Sequence, residues 1–153
     1  MFEKVDCYSI KILAANTKGV KNFSYMFFNT NSYLELTDND PYKSGLMWLD
    51  KLDVSGAENL SGMFSEALYK QKTVDSLRNW NIKNGALIEY MFYTINIYIN
   101  FTVLNKCCDN VNDIYTSSST EEHIYNTFFA EGNIKKNKDK LPIWIGKIKG
   151  IND

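Results

Sequence analysis

The 153-residue chain predicts an α/β fold: a short right-handed solenoid of about four irregular units, each a half-buried strand followed by a short helix. Three observations carry that expectation. A Met-Phe pair recurs at Met26-Phe27, Met63-Phe64 and Met91-Phe92, and Thr127-Phe128 stands where a fourth pair would fall. An apolar residue lies three places before each: Phe23, Leu60, Ile88 and Ile124. Successive copies are 37, 28 and 36 residues apart, so a core unit persists while its loops vary. A strand and a short helix cannot bury their apolar faces alone, and repeated units of this size must therefore stack.

The elements follow in chain order as one domain over residues 1–153. Residues 1–16 read as an N-terminal cap, 17–131 as four degenerate repeats, and 132–153 as a basic C-terminal cap segment. Asp38, Asn39 and Asp40 sit in a dense turn signal before copy two, and no full calcium loop follows them. In copy two, Leu52-Asp53-Val54 alternates as a half-buried strand does, Ser55-Gly56 turns the chain, and Ala57, Leu60, Met63, Phe64 and Ala67 form a helical stripe. Trp80-Asn81-Ile82 repeats the strand in copy three, with Val54 and Ile82 each nine residues before their Met. Ile95 to Phe101 alternates with period two and predicts a further strand. Ser119 or Thr120 is the expected N-cap of a fourth helix, with Glu121 and Glu122 in its first turn.

The runs from Leu52 to Ala67 and from Trp80 to Phe92 resemble the BspA-like family of bacterial leucine-rich-repeat-like domains. That family's repeat has the flavour Trp-Asp-Val-Ser-Asn-Val-x-x-Met-x-x-Met-Phe. Leu141-Pro142-Ile143-Trp144 is similar to the Leu-Pro-x-Trp close that follows its last copy. The likeness is best over residues 50–95, and the spacing here is wider than the family's. It implies a leucine-rich-repeat-like solenoid and binding rather than catalysis.

Composition narrows the function. Apolar residues make up 44% and charged residues 23%, which excludes wholesale disorder. The net charge is -1 and Arg78 is the sole arginine, which speaks against direct nucleic-acid binding of the base-reading kind. Residues 132–150 hold six lysines against Asp139, whereas residues 1–131 hold eleven basic against sixteen acidic groups. The tail thus reads as a solvated segment or as a patch for an acidic partner, with Lys135 and Lys136 as its candidate contacts. No stretch approaches the roughly 20 apolar residues of a membrane helix. No secretory pattern opens the chain, so a cytoplasmic location is expected, and a surface location only if the chain is a fragment.

Catalytic and metal chemistry lack their parts. His123 is the only histidine, so any Ser-His-acid or Cys-His site must use it. Zinc would need Cys7 to reach Cys107 and Cys108, whose adjacency suits one tetrahedral ion poorly. No phosphate loop, dinucleotide fingerprint or His-Glu-x-x-His is present. No enzyme activity, cofactor or metal is expected.

The expected function is a non-catalytic protein-protein interaction module. By analogy with strand-row binding, contacts fall to the outward side chains Lys51, Asp53, Ser55, Asn79, Asn81 and Lys83. A second reading is a small phage or mobile-element inhibitor of a host defence nuclease or ribonucleoprotein, of anti-CRISPR type. A third is a fragment of a bacterial surface adhesin. The Val5–Leu13 and Leu141–Ile151 segments serve as caps or as a homodimer surface.

Overall fold

The computed structural model describes residues 3–4, 6–7, 9–11, 16–32, 45–47, 49–67, 69–130 and 136–152. Its regular elements are short. Strands β1 (Asp6–Cys7), β2 (Ser9–Lys11), β3 (Asn31–Ser32), β4 (Gly45–Met47), β5 (Ile114–Thr116) and β6 (Ile148–Gly150) pair in parallel, two at a time, as β1–β3, β2–β4 and β5–β6. Helices α1 (Gln71–Asp75) and α2 (Glu121–Tyr125) have five residues each. Four 3-10 helices span Leu49–Lys51, Phe101–Cys108, Lys138–Lys140 and Ile143–Lys147. Among the described residues no row of adjoining strands is backed by a layer of helices. The expected leucine-rich-repeat-like solenoid of four strand-plus-helix units is overturned. The turn expected over residues 37–45 lies, but for Gly45, outside the described residues.

The Met-Phe copies meet in space as turns. In each copy the N–H of Met26, Met63, Met91 or Thr127 donates to the carbonyl of the apolar residue three places back, at 3.0–3.2 Å. A helix cannot continue from there, because the residue before Met has a positive φ in three copies: Tyr25 at 57°, Gly62 at 62° and Tyr90 at 54°. Asn29 and Glu66 repeat this three residues after Met, at 49° and 58°. The N–H groups released from helical bonding turn to the neighbouring copy. Phe27 donates to Met63, Phe64 to Met91 and Phe92 to Thr127, at 2.9, 2.8 and 2.7 Å. Single-residue parallel bridges continue the register through Asn22, Asn59, Leu87 and Tyr115, and β5–β6 extends it from Tyr115 to Lys149.

This register stacks the phenylalanines. Phe27–Phe64, Phe64–Phe92 and Phe92–Phe128 have ring centroids 5.4, 5.6 and 6.0 Å apart and planes within 12° of parallel. Trp144 closes the column on Phe128 at 5.6 Å. In the fourth copy Thr127 takes the methionine place, twelve residues after Tyr115 rather than four, and the extra chain carries α2. Thr120 is its N-cap, accepting from the His123 N–H at 3.4 Å.

The strand expected over Ile95 to Phe101 is also absent. The Asn96 N–H donates to Thr94 Oγ1 and the Tyr98 N–H to Asn96 Oδ1, each at 3.1 Å. Such local side-chain acceptors compete with ladder formation. Turns result, leaving Ile95 78% and Tyr98 83% exposed, while Phe101 opens a 3-10 helix and is buried. No helix among the described residues is long and apolar enough to cross a membrane.

Two outcomes test this packing. Phe64→Ala, at the centre of the column, should cost about 3–5 kcal/mol in urea denaturation; a loss below about 1 kcal/mol would remove Phe64 from the core. Glu66→Gly should stabilise by about 1 kcal/mol, since an exposed non-glycine residue pays that much for a left-handed conformation. Gly62→Ala should go the other way, because a Cβ there would lie 2.5 Å from the Tyr25 ring as well as at positive φ.

Candidate functional site

The six side chains expected on the outward row lie on two connectors. Along Lys51–Val54 exposure alternates: Lys51 and Asp53 are exposed, Leu52 and Val54 buried. Along residues 79–82, Asn79 and Asn81 are exposed, Trp80 and Ile82 buried. Ser55 and Lys83 are half-buried. The buried members anchor the connectors. Trp80 donates its indole N–H to the Leu49 carbonyl at 3.0 Å, tying the third copy's connector to the base of the second's.

A shallow depression of about 240 Å³ opens between these connectors, lined by Asp50 to Val54 and Asn79 to Asn81. It gathers Lys51, Asp53, Asn79 and Asn81, and leaves Ser55 and Lys83 outside its lining. The side chains of Asp50, Lys51, Asn79 and Asn81 make no hydrogen bond or ion pair among the described residues. The other three are engaged. Ser55 donates its hydroxyl and its N–H to Asp53 Oδ1 at 2.6 and 2.9 Å, and these bonds, the hydroxyl first, hold the Asp53 carboxyl below its usual range. Lys83 meets Glu58 Oε1 at 3.2 Å, and Lys21 meets the same oxygen at 2.5 Å. The Lys21 bond, then the Lys83 bond, lowers the Glu58 pKa.

A second polar cluster escaped the sequence reading. Ser117 Oγ lies 2.7 Å from His123 Nε2 and donates to Glu89 Oε1 at 2.6 Å, and Glu89 Oε1 also meets His123 Nε2. The three residue types are those of a hydrolase triad, but the geometry differs. A triad places serine and acid on opposite imidazole nitrogens, whereas here both meet Nε2. The triangle pins the inserted segment of the fourth copy to the third. Tyr90 packs edge-on to His123 at 5.5 Å, and Tyr90–Tyr93 and Tyr25–Phe28 form edge-to-face pairs at 5.6 Å each. The one sequence signal for this face was Tyr25 and Tyr90 standing where Gly62 stands in copy two.

The lysine tail is largely engaged within the chain. Lys138 pairs with Glu121 at 2.7 Å, Lys147 donates to the Cys108 carbonyl at 2.8 Å, Lys149 pairs with Asp113, and Lys140 donates to the Ile97 carbonyl. Lys136 is exposed and makes no such bond among the described residues, while Lys135 lies outside them. Among the described residues, Lys136 is thus the tail lysine without a bond inside the chain.

Cys107 and Cys108 are buried and free, and the side chain of Cys7 lies outside the description. Among the described residues no group of three His, Cys, Asp or Glu is placed to hold a metal ion. Burial, with Asp109 adding to it, pushes the Cys107 thiol up to about 12, and burial raises Cys108 as well. The folded thiol therefore ionises after the unfolded one. Its contribution to stability is whole below about pH 9 and is lost as pH rises towards about 12. The urea midpoint should fall between pH 7 and pH 10.5, and fall less in Cys107→Ala. Because alkylation needs thiolate, iodoacetamide at pH 8 should spare both cysteines in the folded chain and modify both in urea, read by peptide mass spectrometry. Equal labelling in the two states would contradict their burial.

No curated protein and no solved structure matches the chain. The family described as Mycoplasma protein of unknown function, DUF285, matches residues 1–128, a span that takes in three Met-Phe copies and the fourth copy to Phe128. On that coverage, this chain belongs to the DUF285 family.

Proposed function

We propose that this chain is a non-catalytic protein-binding module whose contact surface centres on the depression between residues 50–54 and 79–81. One observation carries the reading. Four polar side chains, those of Asp50, Lys51, Asn79 and Asn81, rim a depression on anchored connectors and are committed to no partner among the described residues. Elsewhere the polar groups of this face, Asp53, Ser55, Glu58 and Lys83, bond to one another or to neighbours within the chain. A rim of unengaged polar groups around a partly apolar floor has the composition of a small recognition site. The likeness of residues 50–95 to BspA-like repeats points the same way, since that family implies binding. So does the triangle at His123, which spends the only histidine on a structural contact.

Photo-crosslinking tests the reading. A benzoylphenylalanine placed at Asn81 should give one discrete protein adduct in lysate of the organism that makes the chain, and the same group at exposed Asn110 should not. Lys51→Glu should lower the yield about tenfold, the change expected of a contact worth a little over 1 kcal/mol. Identical adducts from both positions, or none from Asn81, would remove this surface from consideration.

A further inference from the structure

The two connectors lack the bonds that join their copies elsewhere. Downstream, copies two and three are laced together: Leu60 donates to Leu87, Gly62 to Glu89, Phe64 to Met91 and Glu66 to Tyr93, at 2.8–3.0 Å. Upstream, no bond links Leu52–Val54 to Trp80–Ile82. The direction of the backbone groups there follows from bonds on the far sides. Thr17 Oγ1 accepts the Asp53 N–H at 2.7 Å and donates to the Asp53 carbonyl at 3.0 Å, so both groups of Asp53 face the first copy. The Ile82 N–H donates to the Cys107 carbonyl at 2.8 Å, away from the second copy. In extended chain, successive residues present these groups to opposite sides. The Leu52 carbonyl, the Val54 N–H and both groups of Asn81 therefore turn towards the space between the connectors. None of the four has a hydrogen-bond partner among the described residues.

In a closed parallel ladder the Asn81 N–H would donate to Leu52 and the Val54 N–H to the Asn81 carbonyl. The depression occupies that place instead. It is shallow and open, with a volume of about 240 Å³. The copies are pinned on either side of the gap, by Trp80 to Leu49 at one end and by Lys83 to Glu58 at the other. Unpaired donors and acceptors on anchored extended chain are the elements of strand-addition recognition.

We propose that the gap between Leu52–Val54 and Trp80–Ile82 binds the main chain of an extended peptide segment. The segment's carbonyls accept from the Val54 and Asn81 N–H groups, and its N–H groups donate to the Leu52 and Asn81 carbonyls. Lys51, Asp50 and Asn79 at the rim meet its side chains. This rests on the protein-binding reading above and specifies what is bound.

The test uses the full chain and a defined probe, acetyl-Val-Thr-Val-amide, followed by backbone amide NMR. Without peptide, the Val54 and Asn81 amides should exchange with solvent far faster than those of Gly62 and Phe64, which are bonded in the ladder. Peptide up to about 10 mM, the range of weak fragment binding, should shift the Val54 and Asn81 resonances together. The same peptide N-methylated on its backbone should bind at least about tenfold more weakly, having lost its donors. Slow exchange at Val54 and Asn81 would mean that the gap closes in solution, and would overturn the proposal. So would equal binding of the N-methylated peptide, or no shift with either. If the peptide fails while the Asn81 crosslink persists, the partner is held by side chains and only this proposal falls. If the peptide binds and no crosslinked partner exists, the site stands and the protein-binding reading falls.

Discussion

The structure depends on the lateral hydrogen bond from each repeat phenylalanine to the residue before the next one. The N–H groups of Phe27, Phe64 and Phe92 donate to Met63, Met91 and Thr127, and these three bonds fix the offset between copies. With the offset set, the rings fall 5.4–6.0 Å apart and nearly parallel. Each stacked pair is worth about 0.5–1.5 kcal/mol beyond the area it buries. The bond also has a local cost. To aim the N–H sideways the chain takes a left-handed residue just before Met, and only copy two meets that cost with glycine. Tyr25 and Tyr90 accept roughly 1–2 kcal/mol of backbone strain each, and their rings then pack at the surface against Phe28, Tyr93 and His123.

This same constraint explains what was legible in the sequence. The four-unit solenoid does not follow from the repeat, but the places of the column's rings could be read, because each buried ring demands the same residue type at the same place. The substitution of Thr127 for methionine was legible for that reason, and the Thr127 carbonyl occupies the expected rung. The conformation of a copy was not legible. Leu60, Met63, Phe64 and Ala67 point inward from a string of turns as they would from one face of a helix, so periodicity cannot separate the two. The difference resides in φ at Gly62 and Glu66, and only the first is signalled by its residue type. Residues 95–101 failed for a related reason. Their alternation is real, but Thr94 and Asn96 supply acceptors that close turns before a ladder can form.

The candidate site divides along similar lines. Outward and inward positions on the connectors follow from alternation of polar and apolar residues, and the residues at 51–54 and 79–82 carry that pattern openly. The gap between the connectors does not. It consists of two bonds that are not made, and no side chain encodes a missing backbone bond. The triangle of Glu89, Ser117 and His123 was hidden differently. Its members are 28 and 6 residues apart in sequence and meet only because the fourth copy is split. A lone histidine gives no hint of which acid will reach it across a layer.

The division of charge along the chain follows from how its end is held. The basic tail and the acidic body complement each other within one molecule: Lys138 reaches Glu121 and Lys149 reaches Asp113, while Lys147 and Lys140 satisfy carbonyls of Cys108 and Ile97. Exposed pairs of this kind are worth little singly and are screened by salt. In the same segment buried Trp144 packs against Phe128 and β6 pairs with β5, so that the last ring and the last strand of the column come from the tail that carries these lysines. The indole N–H of Trp144 donates to the Leu104 carbonyl at 2.8 Å, as that of Trp80 does to Leu49. One device thus serves twice, a buried tryptophan clamping a connector from the layer beyond it. At the column's end it shuts the stack, whereas between copies two and three it bounds the gap that remains open.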